Sequence, residues 1–345
     1  MTRTEHHFAP TDEQLAQHGD RDATAGLVDL AVNVRAGSPP PWLRERLAAV
    51  DLSRYPDDGA ARAAVARRHR RTPGEVLLTA GAAEAFVLIA RAMRPQHAVV
   101  VHPQFTEPEI ALRRAGHAVH RVVLEPPFQL DATDVPHSAD LVVIGNPTNP
   151  TSVLHPAAVL AGLARPGRVL VVDEAFADAV PGEPESLAHR SDIPGLVVVR
   201  SLTKTWGLAG LRAGYLLAVR SVVDLLAAAQ PQWPVSSLAV EACIACSDPD
   251  AIDGAARWAT ELVDDRDRLL ALLATVDGVR VVPGATAPFV LLQVPTADAY
   301  RRLRERGYAV RSGATFPGLG PEWLRVAVRD RDTSANFVRT LKEIL

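Results

Sequence analysis

The run Ser201-Leu-Thr-Lys204-Thr-Trp-Gly-Leu-Ala-Gly-Leu-Arg212-Ala-Gly-Tyr215 holds the residue types with most chemistry in this chain. A lysine stands between small hydroxyl residues, and an arginine follows eight positions later in a Gly-rich turn. An amine attacks a carbonyl only when neutral, and a partly desolvated, cationic surrounding lowers a lysine pKa enough to supply that form. A guanidinium offers a fork of donors matched to phosphate oxygens. The segment therefore suits an aldehyde cofactor held as a Schiff base on Lys204, with its phosphate gripped by Ser201 and Arg212. Read alone, it is equally a solvated loop, where hydroxyl and basic residues are common.

Further segments fall where apolar runs end. Thr79-Ala-Gly81-Ala82-Ala83-Glu84 follows Val76-Leu77-Leu78 and opens a helical pattern. Free N–H groups at a helix start, with a glycine permitting close approach, can hold a phosphate, although the segment also reads as an ordinary Gly turn. In Gly145-Asn-Pro-Thr-Asn149-Pro-Thr151 two prolines stiffen a loop, and Asn149 can donate an amide hydrogen bond to a phenolic oxygen. Asp173 comes directly after Val169-Leu-Val-Val172, and a carboxylate there is costly unless it meets a cation. A protonated pyridine nitrogen is such a cation, and a loop arginine is the alternative. Arg325 lies inside the apolar Leu324–Val328 run, a poor surface position, so it is expected to meet a buried anion such as a substrate carboxylate.

The elements that must position these residues read as α/β. Strands are expected at 97–102, 118–124, 141–145, 169–173, 196–200 and 214–218, with helices at 83–93, 107–115, 156–164 and 222–230. Near-continuous apolar strands joined by crossover helices imply a mostly parallel sheet covered on both faces, with ligands beyond the strand carboxyl ends. After a long helix over 250–275 come strands at 278–283, 289–294, 308–311 and 324–328 and helices at 297–306 and 334–345. This gives a large domain over 46–248, a smaller α+β domain over 249–345, and an N-terminal arm over 1–45 that partly joins the small domain. The polar first 25 residues or so read as a flexible arm.

Composition narrows the class. The 345 residues are 48% hydrophobic with a net charge of −3, the balance of an ordinary globular protein with neither a nucleic-acid nor a membrane bias. No apolar run approaches the ~18 residues of a membrane span, and Met1-Thr-Arg-Thr-Glu-His-His lacks a signal-peptide core, so a cytoplasmic location is expected. Arg67-Arg-His-Arg-Arg71 reads as a solvated helix end, because no aromatics interleave it. Cys243 and Cys246 read as small buried hydrophobes on one helix, and no metal site is expected.

In order and spacing, these motifs resemble the fold type I, pyridoxal-5′-phosphate-dependent aminotransferases of class I/II, over about residues 29–345. The resemblance implies the family's fold, with a large mostly parallel sheet flanked by helices plus a smaller α+β domain. It implies pyridoxal 5′-phosphate on Lys204, which also moves the substrate Cα proton, Asp173 on the pyridine nitrogen and Asn149 on the ring 3′-oxygen. Ser201, Arg212 and the amides of Gly81, Ala82 and Ala83 would hold the phosphate, beside the hydroxyl of Thr203, and Phe105 would stack on the ring. Tyr55, in Arg54-Tyr-Pro-Asp57, looks like the tyrosine that reaches a neighbouring subunit's phosphate, which implies a homodimer with shared sites. One departure is Phe176, where many relatives carry a tyrosine whose hydroxyl shares the 3′-oxygen.

Within the family the chain is similar to both histidinol-phosphate aminotransferases and threonine-phosphate decarboxylases of cobalamin biosynthesis. His18-Gly-Asp20, Asn33, Gln232-Trp-Pro-Val-Ser236 and Thr315-Phe-Pro-Gly-Leu319 lean toward the decarboxylases. By that resemblance His18, Asn33 and Arg311 join Arg325 as candidates for binding a small, phosphorylated amino acid. Amino transfer is the alternative, and a non-catalytic regulator that binds the cofactor is a reading of another class.

Overall fold

The computed structural model describes residues 10–345. Near its start lies a two-residue strand, β1 (Val28–Asp29). Seven strands then build the main sheet: β2 (Val76–Thr79), β3 (Ala98–His102), β4 (Val119–Val123), β5 (Leu141–Gly145), β6 (Val169–Asp173), β7 (Leu196–Ser201) and β8 (Gly214–Ala218). Their spatial order is β2-β8-β7-β6-β5-β3-β4. The contiguous run β7-β6-β5-β3-β4 is parallel, and β8 is antiparallel to both of its neighbours.

Both faces of this sheet are covered, which explains the unbroken apolar strands. Val142 and Ile144 pack into one core with Val172 and Val198, while Leu141 and Val143 pack into another with Val171 and Val197. Successive side chains point to opposite faces, so an apolar residue at every position signals helices on each side. The helix Gly81–Met93 covers the second face through Phe86, Leu88 and Ile89. The parallel strands β3, β5, β6 and β7 end at His102, Gly145, Asp173 and Ser201, and the loops leaving them share one rim.

A second sheet combines β9 (Arg280–Val281), β10 (Phe289–Gln293), β12 (Arg311–Ser312) and β13 (Trp323–Ala327) in the order β12-β13-β10-β9, all antiparallel. The helices Pro249–Leu273 and Arg331–Ile344 pack on it through Leu262, Leu269, Leu273, Phe337 and Leu341. Between β10 and β12, β11 (Tyr308–Ala309) pairs in parallel with β1.

Three expectations are corrected. The strand expected over 308–311 is two strands serving different sheets, because Val310 separates β11 on β1 from β12 on β13. Residues 10–25 of the expected flexible arm are structured: Thr11 caps the helix Asp12–Leu15, and Thr106 Oγ1 donates to the Leu15 carbonyl at 2.6 Å. Residues 1–9 of that arm lie outside the described residues. The basic cluster is not a solvated helix end. Arg67 and Arg70 are exposed, but His69 and Arg71 are buried, and the Arg68 guanidinium reaches Asp178 at 2.8 Å. A buried carboxylate far along the chain supplies the partner of Arg68, while Arg71 reaches Glu75 and the Ala188 and Arg190 carbonyls, and His69 meets the Tyr215 hydroxyl.

Candidate active site

A cavity of about 500 Å³ opens at the rim where β6 and β7 end, between the main sheet, the second sheet and the N-terminal segment. Lys204, Asp173, Asn149, Phe176, Ser201, Thr203, Arg212, Ala82, Ala83 and Phe105 all line it, as do His18, Asn33, Arg311 and Arg325. Gly81 stands against Arg212 at its edge. Tyr55 does not line the cavity. It is 75% exposed and stacks on Trp233, with ring centroids 4.2 Å apart.

Lys204 follows directly from the end of β7, on the short helix Thr203–Trp206. Burial pushes its ammonium down to about 8, and the Arg325 guanidinium adds to the shift. Its Nζ makes no hydrogen bond or salt bridge among the described residues and lies 5.5 Å from the centre of the Phe176 ring. Phe176 in turn meets Phe289 edge-on at 4.9 Å, so this wall of the cavity is apolar and offers no hydroxyl.

Asp173 ends β6, facing the cavity and 8% exposed. Burial pushes its carboxyl up to about 6, against an N–H···O bond of 3.0 Å from the Ala175 amide to Oδ1 and the attraction of Lys204. Both groups are thus held toward their neutral forms, as a desolvated site requires.

The opposite end of the cavity is built for an anion. The first-turn N–H groups of the helix Gly81–Met93 have no backbone partner within the helix, and no N-cap side chain accepts from them. Gly81 adopts φ +75°, and a Cβ there would come within 2.7 Å of the Arg212 guanidinium. Arg212 also takes a left-handed backbone, with φ 56°. Ser201 and Thr203 are buried beside them, and Ser201 Oγ accepts from the Thr203 amide at 3.3 Å. Donors converge here around a space that only a glycine leaves open.

Arg325 is the cavity's unusual charge. It sits on β13 directly opposite Arg311 of β12, and it is 5% exposed. It forms no salt bridge among the described residues. Nη1 donates to Asn149 Oδ1 at 2.7 Å, Nη2 donates to the Ala31 carbonyl, and the Asn33 amide, oriented to suit, accepts from Nε and Nη1 at 3.1 Å each. Burial, then repulsion from Arg311, pushes it down to about 9. Arg311 is better neutralised: Nη1 donates to Asp22 at 3.0 Å, and Nη2 donates to Thr315 Oγ1 at 2.7 Å and to the Gln17 carbonyl. Those bonds tie Arg311 to the N-terminal segment, whereas Arg325 has only neutral partners.

Two acidic residues also line the cavity: Asp20, named above only as part of the His18-Gly-Asp20 motif, and Glu107, which the sequence reading did not single out. Glu107 Oε1 lies 2.5 Å from His18 Nε2, and that bond is the main reason its carboxyl stays below the usual range. The available signal was a short one: Glu107 stands two residues beyond the stacking candidate Phe105. Among the described residues no group of three or more His, Cys, Asp or Glu is placed to hold a metal ion, and no helix is long and apolar enough to cross a membrane.

A lysine and an aspartate at neighbouring strand ends, with an anion cradle and a buried arginine around one cavity, define a site for an aldehyde-phosphate cofactor on a doubly covered α/β sheet. The family model for aminotransferase class I and II matches residues 25–341. A protein of Mycobacterium tuberculosis (strain H37Rv) named histidinol-phosphate aminotransferase is 52% identical, over 90% of this chain and 86% of that protein. The threonine-phosphate decarboxylase of Salmonella typhimurium is 29% identical, over 92% of this chain and 91% of its own length. Among solved structures, the L-threonine-O-3-phosphate decarboxylase of Porphyromonas gingivalis superposes with a TM-score of 0.83 at 24% identity, over 92% of this chain and 99% of that one. The chain belongs to the class I and II aminotransferase family, enzymes that use pyridoxal 5′-phosphate. The relatives back the alternative of amino transfer better than the decarboxylase preference drawn from short motifs. Those at 52% identity are named for amino transfer.

Proposed function

We propose that this enzyme is an aminotransferase that moves an amino group between a small phosphorylated amine, histidinol phosphate foremost, and 2-oxoglutarate. The observation that carries the reading is Arg325: a buried guanidinium, free of carboxylate partners, beside Asn149 and Lys204. A fixed cation there anchors the substrate's carboxylate or phosphate, which leaves the Cα–H bond as the one presented for cleavage. The 52% identity to relatives named for this activity supports the same choice.

The residues fit the cofactor: the Gly81 cradle leaves room for a phosphate where a Cβ would strike Arg212, and among the described residues Asp173 Oδ2 makes no hydrogen bond that it would have to give up. When bound, pyridoxal 5′-phosphate supplies an aldehyde for the amine and a ring that withdraws electrons. In this reading Lys204, held near 8, is neutral often enough to form the covalent attachment and to carry a proton from and to the substrate Cα. Asp173 holds the proton of the ring nitrogen. Ser201, Arg212 and the amides of Gly81, Ala82 and Ala83 hold the phosphate. Asn149 has its Oδ1 committed to Arg325, which turns Nδ2 toward use as the donor to the phenolic oxygen. Phe176 supplies no second donor, so that oxygen is held by one hydrogen bond fewer than a tyrosine would allow.

The proposal includes a homodimer in which Tyr55, exposed beside Trp233, serves the second copy's site. It also includes a two-domain division at about residue 248, with the N-terminal segment held by both parts: by Thr106 on one side and through Asp22 by Arg311 and Tyr300 on the other. The test is to load the protein with cofactor, reduce with borohydride and map the labelled peptide, then offer histidinol phosphate plus 2-oxoglutarate. Label on Lys204 and formation of glutamate are expected. Carbon dioxide release from threonine phosphate without amino transfer would replace this reading by the decarboxylase.

A further inference from the structure

The cavity contains one polar pair that the cofactor cradle does not use. His18 Nε2 and Glu107 Oε1 are 2.5 Å apart, and the imidazole ring lies 5.3 Å from that of Phe105. The two residues arrive from separate parts of the fold: His18 precedes the turn Gly19–Arg21, and Glu107 is the first residue of the helix Glu107–Arg114. Both side chains are partly open to the cavity, 31% and 21% exposed.

An aminotransferase passes two unlike substrates through one pocket. Histidinol phosphate presents an imidazole, a ring with an N–H to donate. Glutamate presents a second carboxylate, which needs a donor. A fixed arginine at the side-chain end would repel the first when it is protonated, and a fixed carboxylate would repel the second. A wall that offers one acceptor and one donor, paired with each other when neither substrate is present, serves both.

We propose that the His18–Glu107 pair is the specificity device of this site: the imidazole substrate takes Glu107 as its acceptor, and the dicarboxylate takes His18 as its donor. The inference rests on the aminotransferase reading above and deepens it. Four observations support it beyond the contact itself. Glu107 is available as an anion, since the hydrogen bond from His18, outweighing burial, holds its carboxyl below the usual range and Arg114 assists. Its place at a helix N-terminus stabilises the same charge. The partial exposure lets water reach the pair, so the member left behind when a substrate takes its partner stays hydrated. Asp20, two residues from His18 and also lining the cavity, adds negative charge on the side where an imidazolium would sit.

The test uses holoenzyme and two substitutions of opposite sense, Glu107→Met and His18→Leu. Dissociation constants and single half-reaction rates for histidinol phosphate and for glutamate are read from the absorbance of the bound cofactor. The preference for histidinol phosphate over glutamate should fall about tenfold or more in Glu107→Met and rise about tenfold or more in His18→Leu, the scale of losing one hydrogen-bond partner in a binding site. A merely structural role would lower both substrates together in both variants. Preferences that move in the same direction, or by less than about twofold, overturn the proposal. If the unaltered enzyme converts histidinol phosphate and only the opposite shifts are missing, the pair is excluded and the aminotransferase reading stands. If histidinol phosphate binds with the opposite shifts but is not converted, the pair stands and the reaction assignment falls. If the unaltered enzyme neither binds nor converts it, both fall.

Discussion

Two buried arginines, Arg325 and Arg200, are treated in opposite ways. Arg200, on β7 one residue before Ser201, is 2% exposed and meets three carboxylates: Glu174 at 2.9 Å, Glu183 at 2.7 Å and Asp178. Arg68 joins Asp178 from another helix at 2.8 Å. Burial opposes these charges, yet the acidic partners hold the Arg200 guanidinium well above its ordinary value. Arg325 is nearly as buried, meets only amide and carbonyl oxygens, and is pushed down to about 9. The first cluster completes its own electrostatics and ties the segment that follows Asp173 at the end of β6 to β7 just before Ser201. The second leaves a charge unanswered, and an unanswered charge in a cavity marks where a ligand belongs.

The contrast can be broken by substitution. Arg200→Met leaves Glu174, Asp178 and Glu183 with Arg68 alone, and it should cost about 3–5 kcal/mol in urea unfolding. An unchanged midpoint would show that water already solvates that cluster. Asp173 gives the next largest effect. Its folded pKa, about 6, lies above the 3.8 of an unburied aspartate, so the fold binds this proton more tightly than the unfolded chain does. The penalty for ionising it is absent below 3.8, grows between 3.8 and 6 and is complete above 6. Cofactor-free protein should therefore lose about 3 kcal/mol relative to Asp173→Asn across that window, and bound cofactor should narrow the gap by supplying a cation. Parallel thermal-melt curves for the two apoproteins would refute this.

Arg325→Met should behave opposite to Arg200→Met: no loss of stability, but a fall in kcat/KM for glutamate worth about 2–3 kcal/mol. Coincident losses of folding and binding would erase the distinction between the two arginines. The smallest effect is expected from Gly81→Ala, where a left-handed backbone and the 2.7 Å approach to Arg212 both act. Cofactor affinity, followed by fluorescence quenching, should fall by about 1–2 kcal/mol, while serine at position 201 and the rest of the cradle remain in place.

What could be read beforehand follows the range of the forces involved. The apolar runs 141–144 and 169–172 declare themselves as strands because each residue packs on one of two cores. Asp173 is conspicuous because it ends such a run with a residue that needs a partner, and Lys204 and Asn149 because they stand a few residues beyond one. The basic stretch at Arg67–Arg71 misleads for the complementary reason: Asp178, which neutralises Arg68, lies 110 residues away in sequence. The strand expected through Val310 is a single run that two sheets divide between them. Glu107 is an ordinary first-turn acid until His18, 89 residues earlier, closes on it.

The order of apolar runs, glycines and lone polar residues along the chain was enough to determine the α/β architecture, to single out Lys204 as the candidate for covalent attachment and, through the family its motifs resemble, to name the cofactor, because these depend on local burial and on residue type. Only the tertiary structure decided which charges are neutralised and which are left for a ligand. Arg200 and Arg325 are alike in sequence context, each a cation in an apolar strand, and their difference lies entirely in which distant carboxylates the fold brings within hydrogen-bond reach.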